Sequence, residues 1–291
     1  MKKNTVAVFV ALFGVGLGCV SCDSDERAAA EPMLIVKFRF DENQTRLNNL
    51  GQLSVLAPGN AAQSPDFNSI SAHYLELSPT ATTQLGEGTI LYRGAETNQG
   101  GSTAIDFSEA KIVNEGEVFL KIPLREVIAG SYSWARVSLS YQNYRVNVFH
   151  DQVDYMATLA SFVGFNTFIA SHSLGNNFFD VNANRAQGYW AFALNGFPYS
   201  SSGQTPPGTI TVPNPMSATS PIPNGSCVVT GRFSDDFIIT GNETEDVVIT
   251  LSLSVNKSFE WQEVNVDGKF EPSAGESVID MGLRGLIPSF Q

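Results

Sequence analysis

The densest set of chemistry-bearing side chains lies near the C-terminus, in EWQEVNVDGKFEPSAGES. Glu263, Asn265 and Asp267 fall at alternate positions, Gly268 permits a sharp bend, and Glu271 follows. Hard oxygen donors at that spacing suit calcium, which accepts many oxygens in irregular geometry. The spacing departs from the full calcium loop at Ala274, where the bidentate acid would stand, with Glu276 just beyond it. The same residues also read as an Asn-Val-Asp-Gly turn whose acids face water.

Other catalytic chemistry is sparsely marked. His73, His150 and His172 are the only histidines, and no G-x-S-x-G, H-E-x-x-H or phosphate-loop pattern occurs. The pair His150-Asp151 has no nucleophile signalled beside it. These residues favour a non-enzymatic binding or structural role. An extracellular carboxylate-dependent hydrolase acting on polysaccharide or peptide is the alternative, because paired carboxylates leave little trace in a sequence.

The N-terminus states where such a protein would reside. Lys2 and Lys3 precede an apolar run from Val6 to Leu17, then GLGCVSCDSDE, the order of a secretory signal peptide. Val20, Ser21 and Cys22 resemble a bacterial lipobox, which implies cleavage after Ser21, acylation of Cys22 and insertion of its chains into a lipid bilayer. Cys19 is the alternative site. The acidic run Asp23 to Glu26 resembles the export tags of Bacteroidota lipoproteins and implies an outer-membrane anchor facing the cell exterior. The expected organisation is a signal peptide at 1–21, a lipidated tether at 22–32 and one domain at 33–291. Cys227 is then left without an intrachain disulfide partner, and its valine neighbours suggest a buried thiol.

Composition sets the fold class. Hydrophobic residues at 43%, with 25 Gly, 14 Pro and 20 Phe, suit many short strands joined by turns. Loss of Lys2 and Lys3 leaves 15 basic residues against 29 acidic ones, a formal charge of −14. Such a surface repels phosphate backbones, so nucleic acid is excluded as a partner.

Apolar residues recur at every second position in two segments. Leu34, Val36, Phe38 and Phe40 alternate with wetter neighbours, as do Val247, Ile249, Leu251, Leu253 and Val255. Neither flank supplies enough strands for a sandwich of its own, so both should share one domain. Further strands are expected at Ser69–Ser78, Thr89–Tyr92, Val118–Ile122, Tyr132–Tyr141, Tyr144–Phe149, Gln187–Leu194, Ser226–Phe233 and Phe237–Thr240. Gln142-Asn143 reads as a hairpin turn, Ala135 as the neighbourhood of a bulge, Asp151–Leu159 as a short helix, and Phe197–Gly225 as a long loop. The predicted fold is all-β: an antiparallel β-sandwich, immunoglobulin- or jelly-roll-like, with long loops and at most one short helix.

The order SAHYLELS, GSTAIDFSEA, AGSYSWARVSLSY and QGYWAFALNG resembles the MbnP-like group of extracytoplasmic β-sandwich proteins. The resemblance implies a sandwich over most of the body and, since some members bind copper, a copper cofactor. It makes Trp190 the residue comparable to that group's aromatic segment and a candidate ligand-facing aromatic. No histidine cluster stands near Trp190 in the sequence. The alternation of Tyr189, Ala191 and Ala193 with Trp190, Phe192 and Leu194 also fits ordinary core packing.

Overall fold

The computed structural model describes residues 31–205, 220, 222–281 and 283–291. Cys19, Cys22 and the tether up to residue 30 lie outside the described residues, as does 206–219 of the Pro- and Ser-rich stretch. The fold is all-β, with three short 3₁₀ turns and no helix of seven or more residues among the described residues.

The two alternating segments form neighbouring strands. Met33–Asp41 runs parallel to Val247–Ser254, with Leu34 opposite Val247 and Phe40 opposite Leu253. Arg284–Phe290 and Val118–Pro123 complete this four-stranded sheet on either side. Leu34, Val36 and Phe38 bury one face together with Ile249, Leu251 and Leu253. That face covers Ile70, Leu75, Leu77, Val137, Leu139 and Val229 of a second, eight-stranded sheet.

The second sheet is organised on one 21-residue strand, Gly130–His150. On one edge it pairs with Asp66–Ser78. On the other edge, Cys227–Ile239 pairs with its first half and Val153–Phe162 with its second. Ser140 marks the change: it is skipped in the register against Asp66–Ser78, where Ala72 faces Leu139 and Ser71 faces Tyr141. Its carbonyl accepts from the N–H groups of Val163 and Gly164, at 2.9 and 3.2 Å. Beyond this bulge the sheet continues through Tyr189–Leu194 and Ser200–Gln204 and curls into a half-barrel. Its outer face packs Tyr141, Phe162 and Tyr189 on a sheet containing Asn166–Leu174 and Asn177–Ala186. Its inner face turns Tyr144, Val146 and Leu159 toward Phe259, Trp261 and Phe270, which belong to a small sheet built on Phe259–Gln262 and its following loop.

Four local expectations are corrected. Asp151–Leu159 is not helical: Asp151 and Gln152, at φ 48° and 64°, form the two-residue turn between paired His150 and Val153. Positive φ at both central residues is the geometry whose twist matches a tight hairpin. Gln142-Asn143 is not a turn but lies inside the long strand. These two residues are tolerated there because Gln142 Oε1 accepts from Leu283 N at 3.3 Å and Asn143 Oδ1 accepts from Asn68 Nδ2 at 2.7 Å. The irregularity expected near Ala135 falls opposite Ser133, between the pairs Trp134–Arg232 and Tyr132–Phe237, with its extra residues on the partner strand. Phe197–Gly225 is not all loop, since Ser200–Gln204 pairs with Tyr189–Leu194.

The strand Asp66–Ser78 also changes parity. His73 is an extra residue against the long strand, so Ile70 and Ala72 share a core face with Leu75 and Leu77 while Tyr74 turns away. On that far face Glu76, fully buried, meets Arg136 at 3.4 Å. Tyr74 Oη and the N–H groups of Gly86 and Gly88 donate to the Glu76 carboxylate at 2.8–2.9 Å, and Arg136 donates to Thr83 O at 2.7 Å. The pair thereby pins the 79–88 loop. Gly88 is required by close approach: a Cβ there would stand 2.3 Å from both Glu76 Oε1 and Leu77 O.

His172 packs among aromatic rings, stacked on Phe179 at 4.9 Å and edge-on to Phe162 at 5.3 Å. Both ring nitrogens are buried without a hydrogen-bond partner. Burial holds its pKa down at about 4.

Two stability predictions follow from these buried groups. Glu76→Ala leaves the Arg136 guanidinium buried without its counter-charge and should cost about 3–5 kcal/mol in urea denaturation. For His172 the folded pKa lies below the ordinary 6.5, so the unfolded chain binds more protons between the two values. Its contribution is complete above about pH 6.5 and is lost as pH falls toward 4, a trend that buried His73 shares in direction. His172→Leu should therefore flatten the fall in unfolding midpoint measured between pH 7 and pH 4.5.

Candidate functional site

The inner face of the half-barrel does not close on the small sheet along its whole length. Between them lies a cleft of about 1080 Å³. Three cross-strand rows carry its floor, contributing Leu159, Phe192 and Ser201, then Ser161 and Trp190 opposite Gly203, then Val146 and Leu194 on either side of Ala157. Trp190 therefore faces the cleft, while Tyr189, Ala191 and Ala193 of the same strand face the opposite core. Gly203 allows this placement, because a Cβ there would come within 2.6 Å of the Trp190 ring. The indole lies over the backbone of the edge strand.

Phe259, Phe270, Val278 and Met281 form the opposite wall. Phe197 and Tyr199 stand at the rim, 52% and 58% exposed, and stack edge-on against Tyr155 and Phe192. Among the described residues the lining contains no Asp, Glu, Lys or Arg.

The acidic turn lies beside this wall. Glu276, buried, accepts from the N–H groups of Val264 (3.0 Å), Asn265 (3.3 Å) and Glu271 (2.6 Å). Glu263 Oε1 accepts from the N–H groups of Asp267 and Gly268, and Asp267 Oδ1 from Lys269 N. Asn265 Nδ2 donates to Glu271. The acids thus wire the turn through its own amides, and Gly268 takes φ 75° at the bend. The wiring presents Phe270 to Phe259 and Trp261 at 5.2 and 5.5 Å, and Phe149 N donates to Phe270 O at 2.8 Å. Among the described residues, no group of three or more His, Cys, Asp or Glu side chains is gathered for a metal, at this turn or beside Trp190. A calcium ion at the turn would compete with these donors. Its signature would be a melting temperature that rises with calcium and no longer does so in Asp267→Asn.

His150 and Ser273 meet at one end of the cleft, Nδ1 to Oγ at 3.1 Å, and Asp151 lies 3.4 Å from His150 Nε2. The sequence could not announce this pairing, since the two residues lie 123 positions apart. The order Ser-His-Asp is that of a nucleophilic triad, but the side chains of His150 and Asp151 are 53% and 85% exposed. An acid in water neither fixes the imidazole tautomer nor stabilises its cation as a buried one does. Cys227 is no nucleophile either: burial pushes its thiol up to about 12. His73 is buried against Glu96 at 3.0 Å, and burial lowers its pKa despite that carboxylate.

Glu276→Ala strips three backbone donors of their acceptor and should cost about 2 kcal/mol in chemical denaturation. Because the turn holds Phe270, the same variant should also weaken occupancy of the cleft by an apolar fluorescent probe.

Comparison with protein-family models, with curated proteins and with solved structures finds no match to this chain.

Proposed function

We propose that the chain is a lipid-anchored, non-enzymatic binding protein that holds its ligand in the aromatic cleft. Cys22, acylated, tethers it to the outer membrane, and the body faces the cell exterior. The cleft carries this reading: its volume of about 1080 Å³ lies just above the roughly 300–1,000 Å³ usual for small-molecule sites, and its walls are largely apolar and aromatic. Trp190, Phe192 and Phe270 supply large rigid surfaces that stack without much entropic cost.

The hydrolase reading finds less support. A carboxylate-dependent hydrolase needs two facing acids, and the described lining contains none. The exposed Ser273–His150–Asp151 set is the remaining nucleophilic arrangement at the cleft. Turnover of a p-nitrophenyl ester that vanishes in Ser273→Ala would favour an enzyme over a binding protein.

Two measurements test the proposal. N-phenyl-1-naphthylamine should brighten on binding the wild-type protein, and Ser201→Trp, which fills the floor from an exposed edge-strand position, should abolish the signal without lowering the melting temperature. Cys22→Ala should release the protein from the membrane fraction or leave it unprocessed, whereas Cys19→Ala should not. Lipid labelling that persists in Cys22→Ala would move the anchor to Cys19.

A further inference from the structure

We infer that the ligand of this cleft is an uncharged, elongated apolar molecule of the neutral-lipid class, an inference that rests on the binding reading above.

The first ground is charge. The protein carries 46 ionisable Asp, Glu, Lys and Arg residues, yet none lines the cleft among the described residues. The buried charges elsewhere are partnered: Glu76 by Arg136, and Glu260 by Arg46 and Asn60. Away from the exposed His150 at one end, an ionised headgroup drawn into the cleft would find no counter-ion among the described lining, and desolvating it would cost several kcal/mol.

The second ground is shape. Tyr155, Leu159 and Ser161 line the cleft along the strand Val153–Phe162. Six residue steps at about 3.3 Å each give a trough on the order of 20 Å long. That length suits an extended chain better than a compact ring system.

The third ground is the distribution of polar groups. The middle of the trough is Val146, Leu159, Phe192 and Phe259, whereas Gln204 and Thr205 lie at the end beyond Trp190. Gln204 Nε2 is already committed to Gln187 O at 2.8 Å, which leaves the Thr205 hydroxyl and the buried, unpartnered Gln187 Oε1 as groups able to meet a ligand hydroxyl there. A sugar chain would need polar partners along its whole length, and the described middle of the trough supplies little beyond the hydroxyls of Ser161 and Ser201. At the opposite end, exposed Phe197 and Tyr199 extend the apolar surface to the rim, where a long ligand would cover them.

The test is competition for bound N-phenyl-1-naphthylamine by four probes: hexadecanol, hexadecanoate, hexadecyltrimethylammonium below its micellar concentration, and maltohexaose. Hexadecanol should displace the dye at roughly tenfold or more lower concentration than either ion, the ratio expected for an unpaired charge in the cleft. Maltohexaose should not compete. Ser201→Lys, which places a cation in the floor from an exposed position, should improve hexadecanoate relative to hexadecanol. Equal displacement by hexadecanol and either ion, or displacement by maltohexaose, would overturn the ligand class while leaving a binding protein in place. Absence of dye binding to wild type would instead remove the binding reading itself.

Discussion

The bifurcation at Ser140 is the constraint on which the remaining architecture depends. One carbonyl accepts two successive N–H groups, and at that point the long strand exchanges Cys227–Ile239 for Val153–Phe162 as its neighbour. A bulge bends the strand and raises its local twist. The two halves of the sheet therefore face different partners. Before the bulge, Val137 and Leu139 meet the sheet of Met33–Asp41. After it, Tyr144 and Val146 meet Phe259 and Trp261, while Tyr141 looks to the other side.

The curled sheet and the small sheet do not stay in contact along their whole length, and the cleft is the space left where they part. Aromatic residues suit its walls because each covers a large area while keeping few rotatable bonds. The acidic turn contributes by holding Phe270 through amide-to-carboxylate hydrogen bonds. Its charge is spent on folding the wall, which itself stays apolar.

Electrostatics follow the same division. Buried charge is confined to places with partners, and there it ties loops to strands. Burial alone would raise the Glu260 carboxyl, but hydrogen bonds from Asn60 and Arg46, with the charge of Arg46, outweigh it and hold the group below its ordinary range. The acidic surface and the largely apolar cleft thus offer two distinct environments.

Much of the fold was legible in the sequence because alternation reports burial directly. Met33–Asp41 and Val247–Ser254 each bury the face their apolar residues define. The all-β class followed from composition for the same reason. Where polar residues entered the pattern, the local reading failed: Gln142 and Asn143 look like a turn, and only partners more than seventy residues away make them strand. Asp151-Gln152 carries none of the glycine that usually announces a two-residue turn, so the hairpin was hidden. Trp190 stood out by its chemistry, but whether it met core or open space depended on Gly203 and on the separation of two sheets. That separation is a property of twist and packing, which no single stretch of sequence contains.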